Sequence, residues 1–386
     1  MVPVLLLGAG KIGGAIARLL AGCGDYSVLV GDVSGAALER LPKAENIDTL
    51  RMDVADPAAL RAAMSGRKIV VSACSFDVNV GVAQAALECG LSYFDLTEDV
   101  ETTVAVKKIA KSARPGQVFA PQCGLAPGFV SIAAWKLTSD FDKLDEVRLR
   151  VGALPQFPTN EMKYNLTWST DGLINEYGNP CQAVHRGEMI QVLPLEGLEH
   201  SSIDGVDYEA FNTSGGVGTL CDTLAGGVRE LNYKTIRYRG HRDLMAFLMN
   251  ELRLNDRRAV LKDILETSVP ITPQDVVLIF CTVSGWKDGR LMQVTDARKI
   301  YHGPSAAAGM VGIDGQNEHW SAIQMTTASS LCAVLDLHVT GKIPDTGFIR
   351  QEQVQLDDFL ANRFGQCYAT PPKHSPSRTA TTASRV

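Results

Sequence analysis

The chain has 386 residues, 45% hydrophobic and 21% charged. That composition excludes a disordered chain or a small disulfide or zinc scaffold and leaves room for two or three core-bearing regions, since single domains cluster near ~100 to 150 residues. Lys and Arg number 37 against 43 Asp and Glu, a formal net charge of −6, so no global basic field recruits nucleic acid or anionic lipid, and small molecules are the expected partners. The nine cysteines contain no CxxC pair and read as reduced thiols. With neither a secretory leader nor an apolar run near the roughly 20 residues of a membrane span, a cytoplasmic protein is expected.

Along the first 125 residues, short apolar runs alternate with helical stretches, the pattern of a parallel sheet with crossover helices. Six strands are expected at 3–7, 27–32, 48–53, 69–74, 92–96 and 117–122, with a helix at 78–89 among the connections. This order predicts an α/β, doubly wound nucleotide-binding domain over 1–125. After Pro127-Gly128 a helix runs to about 139 and the rhythm changes. Strand-like stretches at 145–152, 188–194, 208–212 and 234–238, helices at 241–252 and 257–266, and a hairpin of 276–284 with 291–300 across Lys287-Asp288-Gly289 predict an α+β domain with a mixed or antiparallel sheet over 126–318. A long helix is expected within 319–368, and the Pro- and Ser-rich residues 369–386 read as a disordered tail.

Gly8-Ala9-Gly10-Lys11-Ile12-Gly13 follows the first strand and opens a helix, the setting in which GxGxxG binds a dinucleotide. Asp32 ends the second strand nineteen positions after Gly13, where a carboxylate accepts hydrogen bonds from ribose hydroxyls. Because Val33-Ser34-Gly35-Ala36 contains no arginine for a 2′-phosphate, the cofactor expected is NAD. Asp53 and Val54 end the third strand toward the adenine, and the competing role for Asp53 is a helix cap before Pro57. Ala73, Cys74 and Ser75 end the fourth strand on the nicotinamide side. Further polar groups reach strand ends at Asp95-Leu96-Thr97-Glu98, at Cys123-Gly124 and at Thr235-Ile236-Arg237-Tyr238-Arg239-Gly240-His241. Scattered histidines and cysteines suggest no metal site.

These segments, together with Thr167-Trp168-Ser169-Thr170-Asp171-Gly172-Leu173-Ile174-Asn175-Glu176-Tyr177 and Ser214-Gly215-Gly216-Val217-Gly218-Thr219-Leu220, resemble the saccharopine dehydrogenase family over roughly residues 1–360. The resemblance is nearest to its lysine 6-dehydrogenase branch. Arg239 departs from it, standing where the family usually has proline. The resemblance implies a Rossmann domain interrupted by a substrate and dimerisation domain, a C-terminal helix returning to the first domain, and a homodimer. It further implies NAD-linked oxidation of an amine carbon, with L-lysine at its ε-carbon giving 2-aminoadipate 6-semialdehyde and ammonia.

Such chemistry needs a base for the ammonium proton, since hydride leaves only beside a nitrogen lone pair. Asp95 and Glu98 are candidates to pair with the amine, His241 is the candidate base, and Arg237 or Arg239 is the candidate carboxylate fork. Ser75, Thr97, Asn165 and Thr167 are candidates to orient the substrate, and Leu96 and Gly124 to border the cofactor. Each has a structural rival: Asp95 and Glu98 as strand-end residues, His241 as a helix cap, the arginines as a solvated strand face. A saccharopine-forming or saccharopine-cleaving enzyme is the alternative activity, and a non-catalytic NAD-binding protein the alternative of another class.

Overall fold

The computed structural model describes residues 1–304 and 319–369. Apart from Ala369, the tail expected over 369–386 lies outside the described residues. The central strands are buried, Val4-Leu5-Leu6-Leu7 completely, as strands covered by helices on both faces must be, while the edge strand Ile47–Arg51 is mostly exposed. They form β1 (Val2–Leu7), β2 (Tyr26–Asp32), β3 (Ile47–Arg51), β4 (Ile69–Ser72), β5 (Ser92–Asp95) and β6 (Val118–Ala120). The sheet is parallel in the order β3-β2-β1-β4-β5-β6, and Gly347–Phe348 adds a seventh, unforeseen strand beside β6. Helices α1 (Lys11–Gly22), α2 (Gly35–Glu39), α3 (Pro57–Met64), α4 (Phe76–Cys89) and α5 (Val100–Ile109) make the crossovers. Asp56 caps α3 by accepting from the Ala58 and Ala59 N–H groups, with Pro57 opening the helix. Asp53 is therefore not the cap; it closes a short turn on the Ala55 N–H at 2.9 Å. The winding direction reverses between β1 and β4, which opens a crevice at their carboxyl ends.

Beyond α6 (Phe129–Thr138) the chain builds a second sheet. It comprises β7 (Lys143–Pro155), β8 (Cys181–His185), β9 (Glu188–Val192), β10 (Glu199–Ile203), β11 (Val206–Asn212), β12 (Glu230–Tyr238), β13 (Asp275–Lys287) and β14 (Arg290–Tyr301). The order is β10-β11-β12-β7-β13-β14, with the β8–β9 hairpin attached to β12; all pairs are antiparallel except β12 with β7. Asp288 and Gly289 take φ of 49° and 73°, the two left-handed residues that a tight β13–β14 turn requires. Between strands lie α7 (Thr170–Gly178), α8 (Leu220–Leu224), α9 (His241–Ala246) and α10 (Arg258–Ser268). The helix expected over 241–252 narrows to α9 and continues as a π-helical turn over Phe247–Glu251.

The last long helix, α11 (Ala322–Val339), returns to the first sheet and lies along α1. Tyr26 donates to Asp336 at 2.6 Å, and Ser92 meets His338 at 3.1 Å. Its N-terminus is held from the other side. Ser321 and Gln324 form a capping box, and buried Asp275 of β13 accepts from the Ala322 and Ile323 N–H groups. That carboxylate ties the mixed sheet to the helix that buttresses the parallel one. Asp275→Ala is expected to lower stability by about 2 kcal/mol by leaving two buried donors without their charged acceptor, measured by denaturant unfolding with the far-ultraviolet spectrum of the native state unchanged.

Candidate active site

The loop from Gly8 to Gly13 turns from β1 into α1. A Cβ on Gly13 would stand 2.0 Å from the Gly8 carbonyl oxygen, so only glycine lets the helix approach the strand this closely. Nothing lies within 4 Å of the Cβ position of Gly10, and the N-terminus of α1 has no side-chain cap. Its first N–H groups thus face open space, where a pyrophosphate would satisfy them. Asp32 is pinned beside this loop, one oxygen accepting from Ala9 N at 2.6 Å and the other from Ser34 N at 2.7 Å. These residues fit a dinucleotide. Arg51 stands in register with Asp32 on the neighbouring strand, exposed, and its Nε donates to the Val33 carbonyl at 3.2 Å. A cation is therefore present at the ribose edge, supplied by β3 rather than by the segment after Asp32.

At the reversal crevice a cavity of about 180 Å³ opens between the two sheets. Its floor on the nucleotide side is Ile12, the Ala73-Cys74-Ser75-Phe76 and Leu96-Thr97-Glu98 strand ends, and the Gly124-Leu125-Ala126-Pro127 turn. Its opposite wall is Tyr233, Thr235 and Arg237 of β12 with Val151 and Ala153 of β7, alternate residues that share one face of the mixed sheet. Trp168, Ser169, Gly172 and Glu176 close the side. The Gly215-Gly216 loop shapes this end. Gly215 has φ +82°, and a Cβ there would lie 2.1 Å from the Glu98 carbonyl oxygen; at Gly216 one would strike the Tyr233 ring.

Three charge-bearing side chains line the cavity: Arg237, Glu98 and Glu176. Arg237 is 2% exposed, and among the described residues no carboxylate comes within ion-pair distance of it. Its guanidinium donates from Nε to Tyr177 Oη at 2.8 Å and from Nη1 to the Ile236 carbonyl at 2.8 Å, between the rings of Tyr164 and Tyr177. Burial raises the Glu98 carboxyl to about 7, with the neighbouring charges of Asp99 and Asp95 adding to the effect. Burial, and then the charge of Glu98, pushes the Glu176 carboxyl well above the usual carboxylate range.

The cavity gathers Ser75, Thr97, Glu98 and Arg237 with Ile12, Ala73, Cys74, Leu96 and Gly124. Burial raises the Cys74 thiol to about 11, which keeps it a packing group. Lys11 opens onto a neighbouring groove with Trp168, Asp171 and Glu266, while Asp53 and Val54 lie past the carboxyl end of β3 and do not line the cavity. Other candidates lie elsewhere. Asp95 is completely buried, and its oxygens accept from Tyr93 Oη, Thr97 N and Gln122 N, which leaves it a strut between strand ends rather than an amine partner. His241 is also completely buried and does not line the cavity; burial and the Arg237 charge lower it to about 3, which removes it as a base near neutrality. Arg239 lies past the end of β12, exposed and 3.6 Å from Asp207, so it does not share the wall with Arg237. Asn165 and Thr167 are buried before Trp168 without lining the cavity. Sequence reasoning passed over Glu176 and Arg51. The available signal for Glu176 was a carboxylate amid Leu173, Ile174 and Tyr177 on a helix that is otherwise buried.

Residues 4–120 match the model of the saccharopine dehydrogenase NADP binding domain, and residues 124–364 that of the saccharopine dehydrogenase C-terminal domain. The mitochondrial alpha-aminoadipic semialdehyde synthase of Mus musculus is 23% identical over 197 residues, 49% of this chain and 21% of that protein. The NADP(+), L-glutamate-forming saccharopine dehydrogenase of Schizosaccharomyces pombe is 23% identical over 205 residues, 50% of this chain and 44% of that protein. The matched stretch is thus less than half the length of either relative. Among solved structures, the L-Glu-forming saccharopine dehydrogenase of Saccharomyces cerevisiae superposes with TM-score 0.71 at 16% identity, covering 95% of this chain and 96% of that one. The NAD-bound homospermidine synthase of Legionella pneumophila gives 0.63 at 11%, covering 95% and 89%. At these identities the likeness is one of fold.

Gly13→Ala is expected to weaken NADH and NADPH binding at least about tenfold, since the added methyl forces apart the loop that presents the helix N–H groups. Fluorescence titration of each dinucleotide measures the loss.

Proposed function

Because the chain belongs to the saccharopine dehydrogenase family, we propose that it is a nicotinamide-dependent oxidoreductase that oxidises an amine-bearing carbon of an amino acid, with L-lysine at its ε-carbon as substrate and 2-aminoadipate 6-semialdehyde and ammonia as products. The charge inventory of the cavity carries this reading: one arginine against two carboxyl groups. L-Lysine brings one carboxylate and two ammonium groups. Saccharopine brings three carboxylates, two of which would find no cation among the lining residues. The names of the relatives favour saccharopine as the second reading, but Arg239, the residue that would supply a further cation, points away from the cavity into solvent beside Asp207.

In the proposed reaction Arg237 holds the α-carboxylate, and ionised Glu98 takes a proton from the ε-ammonium to give the amine its lone pair. Glu176, its carboxyl pushed toward the protonated form by burial and by the Glu98 charge, donates a hydrogen bond across the cavity. Nicotinamide, when bound against Ile12, Ala73 and Ser75, supplies the acceptor for the hydride. The amine carbon thereby becomes an iminium, and water hydrolyses it to the aldehyde and ammonia. Asp32 supports NAD as the acceptor, whereas Arg51 and the family's NADP-binding region support NADP; we propose NAD, with Arg51 as the residue that admits NADP. A homodimer across an unpaired edge of the mixed sheet belongs to the same proposal, with sedimentation equilibrium as its check.

Reduced dinucleotide is expected to accumulate on mixing protein, NAD and L-lysine, with ammonia in equal amount; accumulation with saccharopine alone would transfer the assignment to the second reading. Glu98→Gln is expected to lower kcat/KM by about 100- to 10,000-fold. The base works ionised, so kcat/KM is expected to climb as pH rises and to level above about 7, with the climb absent in the residual activity of Glu98→Gln. Arg51→Ala is expected to weaken NADPH binding and leave NADH binding unchanged, read by the same titration with both dinucleotides.

A further inference from the structure

Behind the cavity wall, buried polar groups form a single file that ends at Arg237, and its members beyond that arginine have no part in the proposed reaction. His241 Nδ1 lies 2.9 Å from the Met162 carbonyl and His241 Nε2 3.1 Å from Tyr177 Oη, which in turn lies 2.8 Å from Arg237 Nε. The direction of every hydrogen bond in this file follows from its ends once the imidazole is neutral, as burial and the Arg237 charge make it. A carbonyl only accepts, so Nδ1 carries the imidazole proton; Nε2 then holds a lone pair and accepts the Tyr177 hydroxyl proton; the Tyr177 oxygen is left to accept from Arg237 Nε–H. The tyrosine is thus oriented from behind. The file also cannot run in reverse, because arginine never accepts. His241, Tyr177 and Tyr164 are completely or nearly completely buried, and their rings pack on one another with centroid separations of 5.2 Å and 5.9 Å, so no solvent replaces a lost member.

We propose that Tyr177 and neutral His241 are positioning residues that fix the rotation of the Arg237 guanidinium, so that its remaining N–H edge is presented to a planar carboxylate of the substrate. This rests on the reading of Arg237 as the carboxylate fork and extends it to two residues that touch no ligand. With Nε and Nη1 both committed, the guanidinium plane has one orientation; with Nε released, it can turn about its last torsion and present a single N–H instead of two. Packing alone does not impose that choice, since a phenyl ring at 177 would fill the same space.

Two readouts separate this inference from the reading beneath it. The first needs no substrate: the exchange of the Arg237 Nε–H with solvent, followed in nitrogen-15 spectra of the intact protein. Tyr177→Phe and His241→Asn are expected to speed exchange at least about tenfold, the loss of one charge-assisted hydrogen bond. His241→Gln, whose amide oxygen can stand where Nε2 accepts from Tyr177, is expected to stay near the wild-type rate, whereas asparagine reaches only the Nδ1 position. Unchanged exchange in Tyr177→Phe overturns the inference and leaves the function reading intact. The second readout is kinetic, with L-lysine and with saccharopine: KM for the substrate that turns over rises about 10- to 100-fold in Tyr177→Phe and His241→Asn, with kcat within about threefold and NADH binding unaltered. Faster exchange with an unmoved KM overturns the positioning role. If the wild type turns over neither compound, calorimetric binding of L-lysine against 1,5-diaminopentane decides: a preference for the carboxylated partner that vanishes in Tyr177→Phe supports positioning and rejects only the turnover reading, whereas equal binding of the two by wild type overturns both. Melting temperatures of all variants, with the glutamine variant as the conservative control, exclude a failed fold as the cause.

Discussion

A guanidinium buried at the middle of the protein, without a carboxylate partner among the described residues, is the constraint around which this structure is arranged. An unpaired charge in an apolar interior is costly, so a site that keeps one must solvate it with fixed dipoles and polarisable rings. Arg237 receives both, with two oxygen acceptors in contact and two tyrosine rings at its faces. Arg237 also lines the cavity, together with Glu98 and Glu176. In the proposed function the substrate's carboxylate supplies its counter-charge.

The same constraint explains the behaviour of the neighbouring acids. Glu98 and Glu176 lie close enough in a low-dielectric space for the second charge to be opposed by the first. The Glu98 carboxyl is raised to about 7 and that of Glu176 well above the usual carboxylate range, so two groups of one residue type differ in their hold on a proton. Burial produces this division, and burial here is a property of two sheets meeting. The nucleotide-binding strand ends form one wall and the β12–β7 face the other. Asp275, reaching from β13 to the start of α11, holds the two walls in register.

Much of the nucleotide half was legible. Its strands are short, apolar at the centre of the sheet and separated by helices, so local patterning and the right-handed crossover rule leave little choice of topology. The Gly8–Gly13 signal survives because the close approach of Gly13 to the Gly8 carbonyl is a backbone requirement set within six consecutive residues. The other half was less legible for the opposite reason. Whether Asp95 or Glu98, three positions apart, turns toward the cavity depends on which oxygen finds Gln122 and Tyr93, partners supplied by other strands. Arg237 and Arg239 look equivalent by alternation until β12 ends at Tyr238 and only one of them remains on the wall. Arg51 reaches the ribose edge solely because β3 pairs with β2 in the register that sets it beside Asp32.

The sequence by itself determined the parallel sheet, the dinucleotide loop and the kind of chemistry to look for, because those depend on periodicity, on glycine's missing side chain and on motifs contained in a few consecutive residues. The tertiary structure decided which ionisable groups share a cavity, which are buried out of reach as His241 is, and how far each is moved from its ordinary protonation. Those outcomes arise from distances between residues remote in the chain and from the solvent that packing removes, and neither quantity is written in any local stretch of sequence.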